Sequence, residues 1–195
     1  FADVRDETLT IDPKEVERRI TPRTKALLPV DYAGQPADLD ALLALADRHE
    51  LLVIEDAAHA LGAKYRSRMV GSISHMSVFS FHAVKHLTTG EGGMVTTNNS
   101  DFAQRLREVR NHGIDSDART RQAAGHWHYE MATLGFNYRL TDIACALGLS
   151  QLPRLSANLA RRRAIAARYG KALATVPSLT LPIVAADVTS AWDLY

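Results

Sequence analysis

Three residues of this chain have types and spacing that suit chemistry: Asp56, Ser80 and Lys85. Lys85 stands in SFHAVKHLTTGEGG (80–93), between two histidines, in a stretch otherwise mostly small or apolar. A lysine beside a buried site loses its proton more readily, because desolvation disfavours the ammonium. In its neutral form it attacks carbonyl groups to give Schiff bases. Asp56 closes the apolar run LLVIED (51–56), and Ser80 stands near the end of MSVFSF (76–81). In open α/β sheets ligands bind beyond the carboxyl ends of strands, which is where both residues fall. An acid near such a lysine is also what a pyridine cofactor requires. Paired with the ring nitrogen, it keeps that nitrogen protonated and makes the ring an electron sink. From the residues alone, Asp56 serves equally well as a helix N-cap, and Lys85 as a surface charge or phosphate contact.

Other candidate sites are weaker. Gly90, Gly92 and Gly93 read as a tight turn into GMVTTN (93–98), since neither GxGxxG nor a P-loop is present. His82 and His86 are four apart, and His126 and His128 flank Trp127. No HExxH, CxxC or carboxylate cluster accompanies them, so no metal site is expected. Cys145 falls on an apolar helix face and reads as structural. Arg161, Arg162 and Arg163 read as the solvated face of a helix rather than as a phosphate site.

The elements that must position these residues follow from the apolar pattern. KALLPVDY (25–32), LLVIED, MSVFSF and GMVTTN are continuous apolar runs of strand length, suited to a parallel sheet covered on both faces. Between the first two, Leu39, Leu42, Leu43 and Ala46 fall at helical spacing with Pro36 near the start, which completes a βαβ unit. A second helix is expected from Ser100 to about Asn111, with Phe102, Leu106 and Val109 inward. Residues 113–130 show no clear period and read as a long loop. Helical spacing returns over 139–152 and continues beyond Pro153. The fold class is therefore α/β.

Composition bounds the function. The 195 residues are 46% hydrophobic with a net charge of +1, enough for a sizeable core and without the field that nucleic acid or an anionic membrane calls for. No apolar run approaches the roughly 18 to 20 residues that span a bilayer. One cysteine fits a reducing compartment, and a cytoplasmic location is expected. The charged start FADVRDETLT and the abrupt end SAWDLY read as a fragment cut at both ends.

EDAAHALGA, GSISHMSVFSFHAVKHLTTGEGGMV and LGFNYRLTDIACALGLSQL resemble the DegT-type family of sugar aminotransferases, and the likeness runs from FADV to SAWDLY. The resemblance implies a pyridoxal-phosphate transferase of fold type I, a mostly parallel sheet flanked by helices. Residues 1–152 would belong to the large cofactor-binding domain, and 153–195 to a connecting helix and the start of a small domain. Lys85 would hold pyridoxal 5'-phosphate through a Schiff base and then shuttle a proton. Asp56 would pair with the ring nitrogen, His59 would lie near the ring's phenolic oxygen, and Ser80 would bind the phosphate. Asn137 would reach the phosphate of a neighbouring subunit's cofactor in a homodimer with shared active sites. Arg139 is a weaker candidate for anionic groups at that interface, and the 113–130 loop would lie over the sugar nucleotide.

Within the family, VDYAGQPADLDAL and SFHAVKHLTTGEGG look most like the pseudaminic-acid branch. That branch implies amination of C4 of a UDP-linked 4-keto-6-deoxy-N-acetylhexosamine, with glutamate as donor. The alternatives are GDP-perosamine-type or 3-keto sugar aminotransferases, a sugar dehydratase on the same scaffold, or a non-catalytic cofactor-fold domain. Dehydratase relatives carry histidine in place of the lysine, so Lys85 argues against that class. Retention of Asp56, Ser80 and Lys85 together argues against a merely structural domain. The chain departs from the family at Asp193, where many relatives read histidine before the closing Leu-Tyr. The family's Gly-Thr phosphate loop and its ring-stacking aromatic would precede Phe1.

Overall fold

Helix α1 (Pro13–Arg19) opens on Asp12, whose carboxylate accepts the Lys14 N–H at 3.0 Å. Pro13 sits in its first turn, where a missing N–H costs nothing. The structure is a computed structural model that describes residues 1–116 and 118–195 and, of Ala118 and Arg119, the backbone alone. After α1 come β1 (Ala26–Leu27), α2 (Leu39–Arg48) and β2 (Leu52–Asp56). A small hairpin follows, β3 (Lys64–Tyr65) and β4 (Arg68–Met69), and then β5 (Met76–Ser80) and β6 (Gly93–Thr96). The rest is helical, α3 (Ser100–Arg110), α4 (Ala118–Ala123), α5 (Asp142–Gln151) and α6 (Leu155–Leu173), until the short β7 (Val188–Thr189).

The main sheet has the order β1-β2-β5-β6. Its first two pairings are parallel, and β6 runs antiparallel to β5 at the edge. The expected βαβ unit is present, with Leu39, Leu42 and Ala46 of α2 fully buried and Leu43 packed at the margin. Asp38, not Pro36, fixes the start of α2: its carboxylate accepts the Ala41 N–H at 3.3 Å. The 25–32 run forms only a two-residue strand, but the parallel ladder goes on past it. The Asp56 N–H donates to the Pro29 carbonyl at 2.8 Å, and the Asp31 N–H to the Asp56 carbonyl at 3.0 Å.

Residues of β2 alternate between the two faces. Val53 and Glu55 are buried, whereas Ile54 and Asp56 are half-buried. Val30, Asp56, Val78 and Val95 pair in register across the strands and so share the second face. All three valines on that face are exposed. The fold is the expected α/β class, a mostly parallel sheet flanked by helices; among the described residues α2 covers one face, and the other is exposed beside Asp56. A continuous apolar run reports burial capacity, not which face is covered within a given stretch of chain. Ser80 follows Val78 by two residues, so it lies on the same open face as Asp56.

Phe102, Leu106 and Val109 form the inner face of α3 as expected, half-buried while Asp101, Gln104, Arg105, Arg107 and Arg110 are exposed. Two further expectations change. Residues 118–123 of the expected 113–130 loop form α4, and Asp117 lies outside the described residues. Of the three arginines on α6, only Arg161 is exposed. Arg162 donates to the carbonyls of Trp192 and Asp193 at 3.0 and 3.3 Å, and Arg163 to those of Ser190 and Gly62 at 3.0 and 3.4 Å. The long basic side chains clamp a passing backbone segment, which a charge run does not announce.

On the covered face, Asp31 and Glu55 are both fully buried. Asp31 Oδ1 accepts the Ala37 N–H at 3.0 Å, and Glu55 Oε2 accepts the Ser77 hydroxyl at 2.5 Å. Their other oxygens lack partners unless a proton lies between them. Burial, and then the Glu55 charge, push the Asp31 carboxyl well above its ordinary 3.8, so Asp31 keeps a proton and donates it to Glu55. A carboxyl raised on folding contributes most below its ordinary value and loses that contribution as pH climbs through the folded one. Asp31→Asn keeps the Ala37 bond and supplies a permanent donor to Glu55. Its stability, followed by chemical denaturation from about pH 4 to about pH 8, should fall less with pH than that of the parent. An identical fall in both proteins removes Asp31 from the account.

Candidate active site

The run AAHALGA after β2 is mostly small residues, and Ala57, Ala60 and Ala63 are fully buried against Phe79, Leu87 and Leu159. Small side chains let the turns after β2 pack closely beneath the ends of β2 and β5. The region forms turns rather than the short helix a capping aspartate would start. Asp56 Oδ1 accepts the Ala58 N–H at 3.1 Å, so one oxygen does cap a turn. Its second carboxylate oxygen makes no hydrogen bond among the described residues. Ser80 Oγ accepts the His82 N–H at 3.3 Å at the end of β5. Thr89 and Thr88 then tie the loop back: the Thr89 N–H donates to the Phe81 carbonyl at 2.9 Å, and the Thr88 hydroxyl to the same carbonyl at 3.1 Å. Gly90 (φ 82°) turns the chain back into β6, as expected of that glycine-rich segment.

Lys85 lies on this loop with its side chain only 14% exposed. Its Nζ is 3.8 Å from Asp193 Oδ2. The same oxygen lies 3.6 Å from His59 Nε2, while Asp193 Oδ1 lies 3.5 Å from His86 Nδ1. These are ion-pair separations, longer than hydrogen bonds. His59 also packs in a tilted arrangement against Tyr32, with centroids 6.1 Å apart. Its Nδ1 is buried without a hydrogen-bond partner.

Asp193 arrives from far along the chain. The Ala191 N–H donates to the Gly34 carbonyl at 2.9 Å and the Asp193 N–H to the Ala33 carbonyl at 2.9 Å, while Arg162 and Arg163 hold the other side of the segment. Gly34 (φ 94°) makes this possible, since a Cβ there would stand 2.7 Å from the Trp192 nitrogen. Trp192 itself has φ 51°, a left-handed conformation costing a large side chain about 1 kcal/mol or more. That kink turns Asp193 toward Lys85.

The structure thus brings Asp56 and Ser80 onto one sheet face and joins His59 to Lys85 through Asp193. Asn137 and Arg139 lie apart from this cluster. Asn137 is exposed and its backbone bridges to Asn111, whose side-chain oxygen also accepts from Arg139 at 2.8 Å. In the sequence, His86 reads only as a possible metal ligand and Asp193 only as a departure from the family. The adjacency of His86 to Lys85 was the signal available for it; none marked Gly34 or Arg162.

A buried unpartnered nitrogen on His59, a half-free carboxylate on Asp56 and a shielded lysine are what an aromatic cofactor with a basic ring nitrogen, a polar ring substituent and an aldehyde would engage. The model of the DegT/DnrJ/EryC1/StrS aminotransferase family matches residues 1–195. The chain belongs to that family. It is 46% identical over its whole length to the spore coat polysaccharide biosynthesis protein SpsC of Bacillus subtilis, covering 50% of that protein. Its structure resembles that of S. venezuelae DesV in complex with a ketimine intermediate, at TM-score 0.89 and 42% identity, over 98% of this chain and 49% of DesV. It also resembles Helicobacter pylori PseC, an aminotransferase involved in the biosynthesis of pseudoaminic acid. There the TM-score is 0.82 at 36% identity, over 91% of this chain and 46% of PseC. The chain therefore spans about half the length of the relatives it matches. No helix of the described residues is long and apolar enough to cross a membrane.

Proposed function

We propose that the protein to which this chain belongs is a pyridoxal-phosphate-dependent aminotransferase that moves an amino group from glutamate to C4 of a nucleotide-linked 4-keto-6-deoxy sugar. A UDP-linked N-acetylhexosamine destined for a cell-surface polysaccharide fits best, a reading supported by the likeness to PseC and SpsC. The observation that carries it is the placement of Asp56 and Ser80 on one open face at the ends of adjacent parallel strands, with Lys85 following directly and shielded from solvent.

Lys85 would hold the cofactor through Nζ, Asp56 through the ring nitrogen, His59 beside the ring oxygen and Ser80 at the phosphate. When bound, pyridoxal 5'-phosphate supplies a sink for the electron pair left as a proton leaves the amine-bearing carbon. Lys85 Nζ takes up that proton and returns it, a role that needs a neutral amine in a water-poor site. The exposed Asn137 would complete a neighbouring subunit's phosphate site in a homodimer, with Arg139 beside it for anionic groups. Residues 1–152 belong to the large domain in this reading, and 153–195 lead into a small one. The reaction and its substrates call for no membrane or nucleic acid, and a cytoplasmic location suits a sugar-nucleotide enzyme.

The test uses the full-length protein. Borohydride should fix the cofactor to the peptide carrying Lys85, as read by mass spectrometry. Glutamate-dependent amination should be fastest with the UDP-linked 4-keto sugar, compared with GDP- and dTDP-linked ones. Fixation at another lysine overturns the site, and preference for a GDP-linked sugar overturns the substrate.

A further inference from the structure

His86 carries a contradiction in its hydrogen bonding. Its ring is buried, with the side chain 1% exposed, and Nε2 lies 3.0 Å from the Ala191 carbonyl. A carbonyl only accepts, so Nε2 must carry the proton. In a neutral ring Nδ1 then presents a lone pair to Asp193 Oδ1 at 3.5 Å: two acceptors face one another, and Nδ1 has no partner. A proton on Nδ1 would resolve this and give the carboxylate a cation. Burial opposes that proton most strongly. The Ala191 carbonyl and Asp193 favour it, whereas Arg162 and His59 oppose it, and the balance holds His86 below its ordinary 6.5. Lys85, the preceding residue, already supplies a positive charge to the other oxygen of Asp193.

We propose that Asp193 is a positioning residue that serves two cations in turn: it is the counter-ion of the Lys85 ammonium, and it becomes the counter-ion of His86, protonated at Nδ1, whenever Lys85 carries no charge. The balance is simple. One N–H bond breaks at Lys85 Nζ, one forms at His86 Nδ1, and Asp193 stays a carboxylate. The need for it is physical, because the Asp193 side chain is only 6% exposed and a buried carboxylate without a cation is costly. The device therefore lets Lys85 become a nucleophile without leaving an unpaired charge beside it. The clamp by Arg162, the close approach at Gly34 and the kink at Trp192 all serve to hold this one side chain between the two bases.

The inference rests on the reading that Lys85 loses its charge during turnover, but its test does not use turnover. His86 is titrated by NMR of nitrogen-labelled histidine in the full-length protein, with its signals assigned by their loss in His86→Gln. In the parent freed of cofactor, so that Lys85 is a free ammonium, His86 should be neutral with the proton on Nε2 and should titrate below 6.5. Lys85→Met should raise its midpoint by about one pH unit or more, the size of a nearby-charge effect. Lys85→Arg, which keeps the charge, should leave it low. In the Asp193→Asn background, Lys85→Met should move it by less than half as much. No rise in Lys85→Met overturns the proposal, and so does an equal rise with and without Asp193, which would mean that the lysine acts on His86 directly. If Asp193→Asn does not fold, the contrast between Lys85→Met and Lys85→Arg still decides whether the lysine's charge governs His86. Failure of borohydride to fix cofactor at Lys85 would instead sink the proposed function and leave the titration result standing.

Discussion

Replacing Lys85 by alanine in the full-length protein should lower glutamate-dependent amination by at least about a thousandfold, because nucleophile and proton carrier are lost together. Stability should fall only slightly. The pair is shielded, with side chains 14% and 6% exposed, so a bare Asp193 carboxylate would be costly, but His86 at 3.5 Å takes over as its counter-ion and the melting temperature should drop by about a few degrees. Lys85→Arg separates two explanations. Arginine keeps the positive charge beside Asp193 but cannot lose its proton near neutral pH, so it cannot attack a carbonyl. Its activity should be as low as that of Lys85→Ala. If Lys85→Arg retains most of the amination rate, the residue acts through its charge alone and the covalent reading fails. Full activity in Lys85→Ala would sink both.

The elements that carry this site were legible wherever local chemistry and burial agree. The run LLVIED, the helical stripe of α2 and the turn at Gly90 followed from periodicity and backbone freedom, which are local properties. Lys85 stood out because an isolated charge in an apolar stretch is expensive unless it has a use. What escaped notice depends on contacts between distant segments. Asp193 meets Lys85 across more than a hundred residues, and its position is set by main-chain bonds to Ala33 and Gly34 that any sequence could make. Arg162 and Arg163 bind carbonyls, which leave no signature in residue type. The open face of the sheet was illegible for a related reason, since hydropathy shows that Val30, Val78 and Val95 can be buried but not by what. The buried Asp31–Glu55 pair was hidden in plain view, because a carboxylate in a sequence looks solvated until its neighbours are known.

Asp56 joins the functional and the buried carboxylates, and this gives the second large effect. Asp56→Asn preserves volume, and the asparagine oxygen can still accept from Ala58 at the same turn. The main-chain bonds to Pro29 and Asp31 are untouched. What is lost is the negative charge that would keep a pyridine nitrogen protonated. Removing one partner of a shielded ion pair costs about 3 to 5 kcal/mol, which predicts a fall in amination of about a hundredfold to several thousandfold. Cofactor should still be fixed to Lys85 by borohydride, because that attachment does not need the ring nitrogen charged. The same substitution should leave the fold as stable as before, or slightly more so near neutral pH. The Asp56 charge is one of those holding Asp31 in its protonated state, so its removal relieves repulsion among three acids at the end of β2. A lower rate with an unchanged or raised melting temperature is therefore the expected signature of a residue kept for chemistry rather than for folding. If Asp56→Asn instead unfolds the protein while the surviving folded fraction works at the parental rate, the turn bond to Ala58 is its main role, and the electron-sink assignment is wrong.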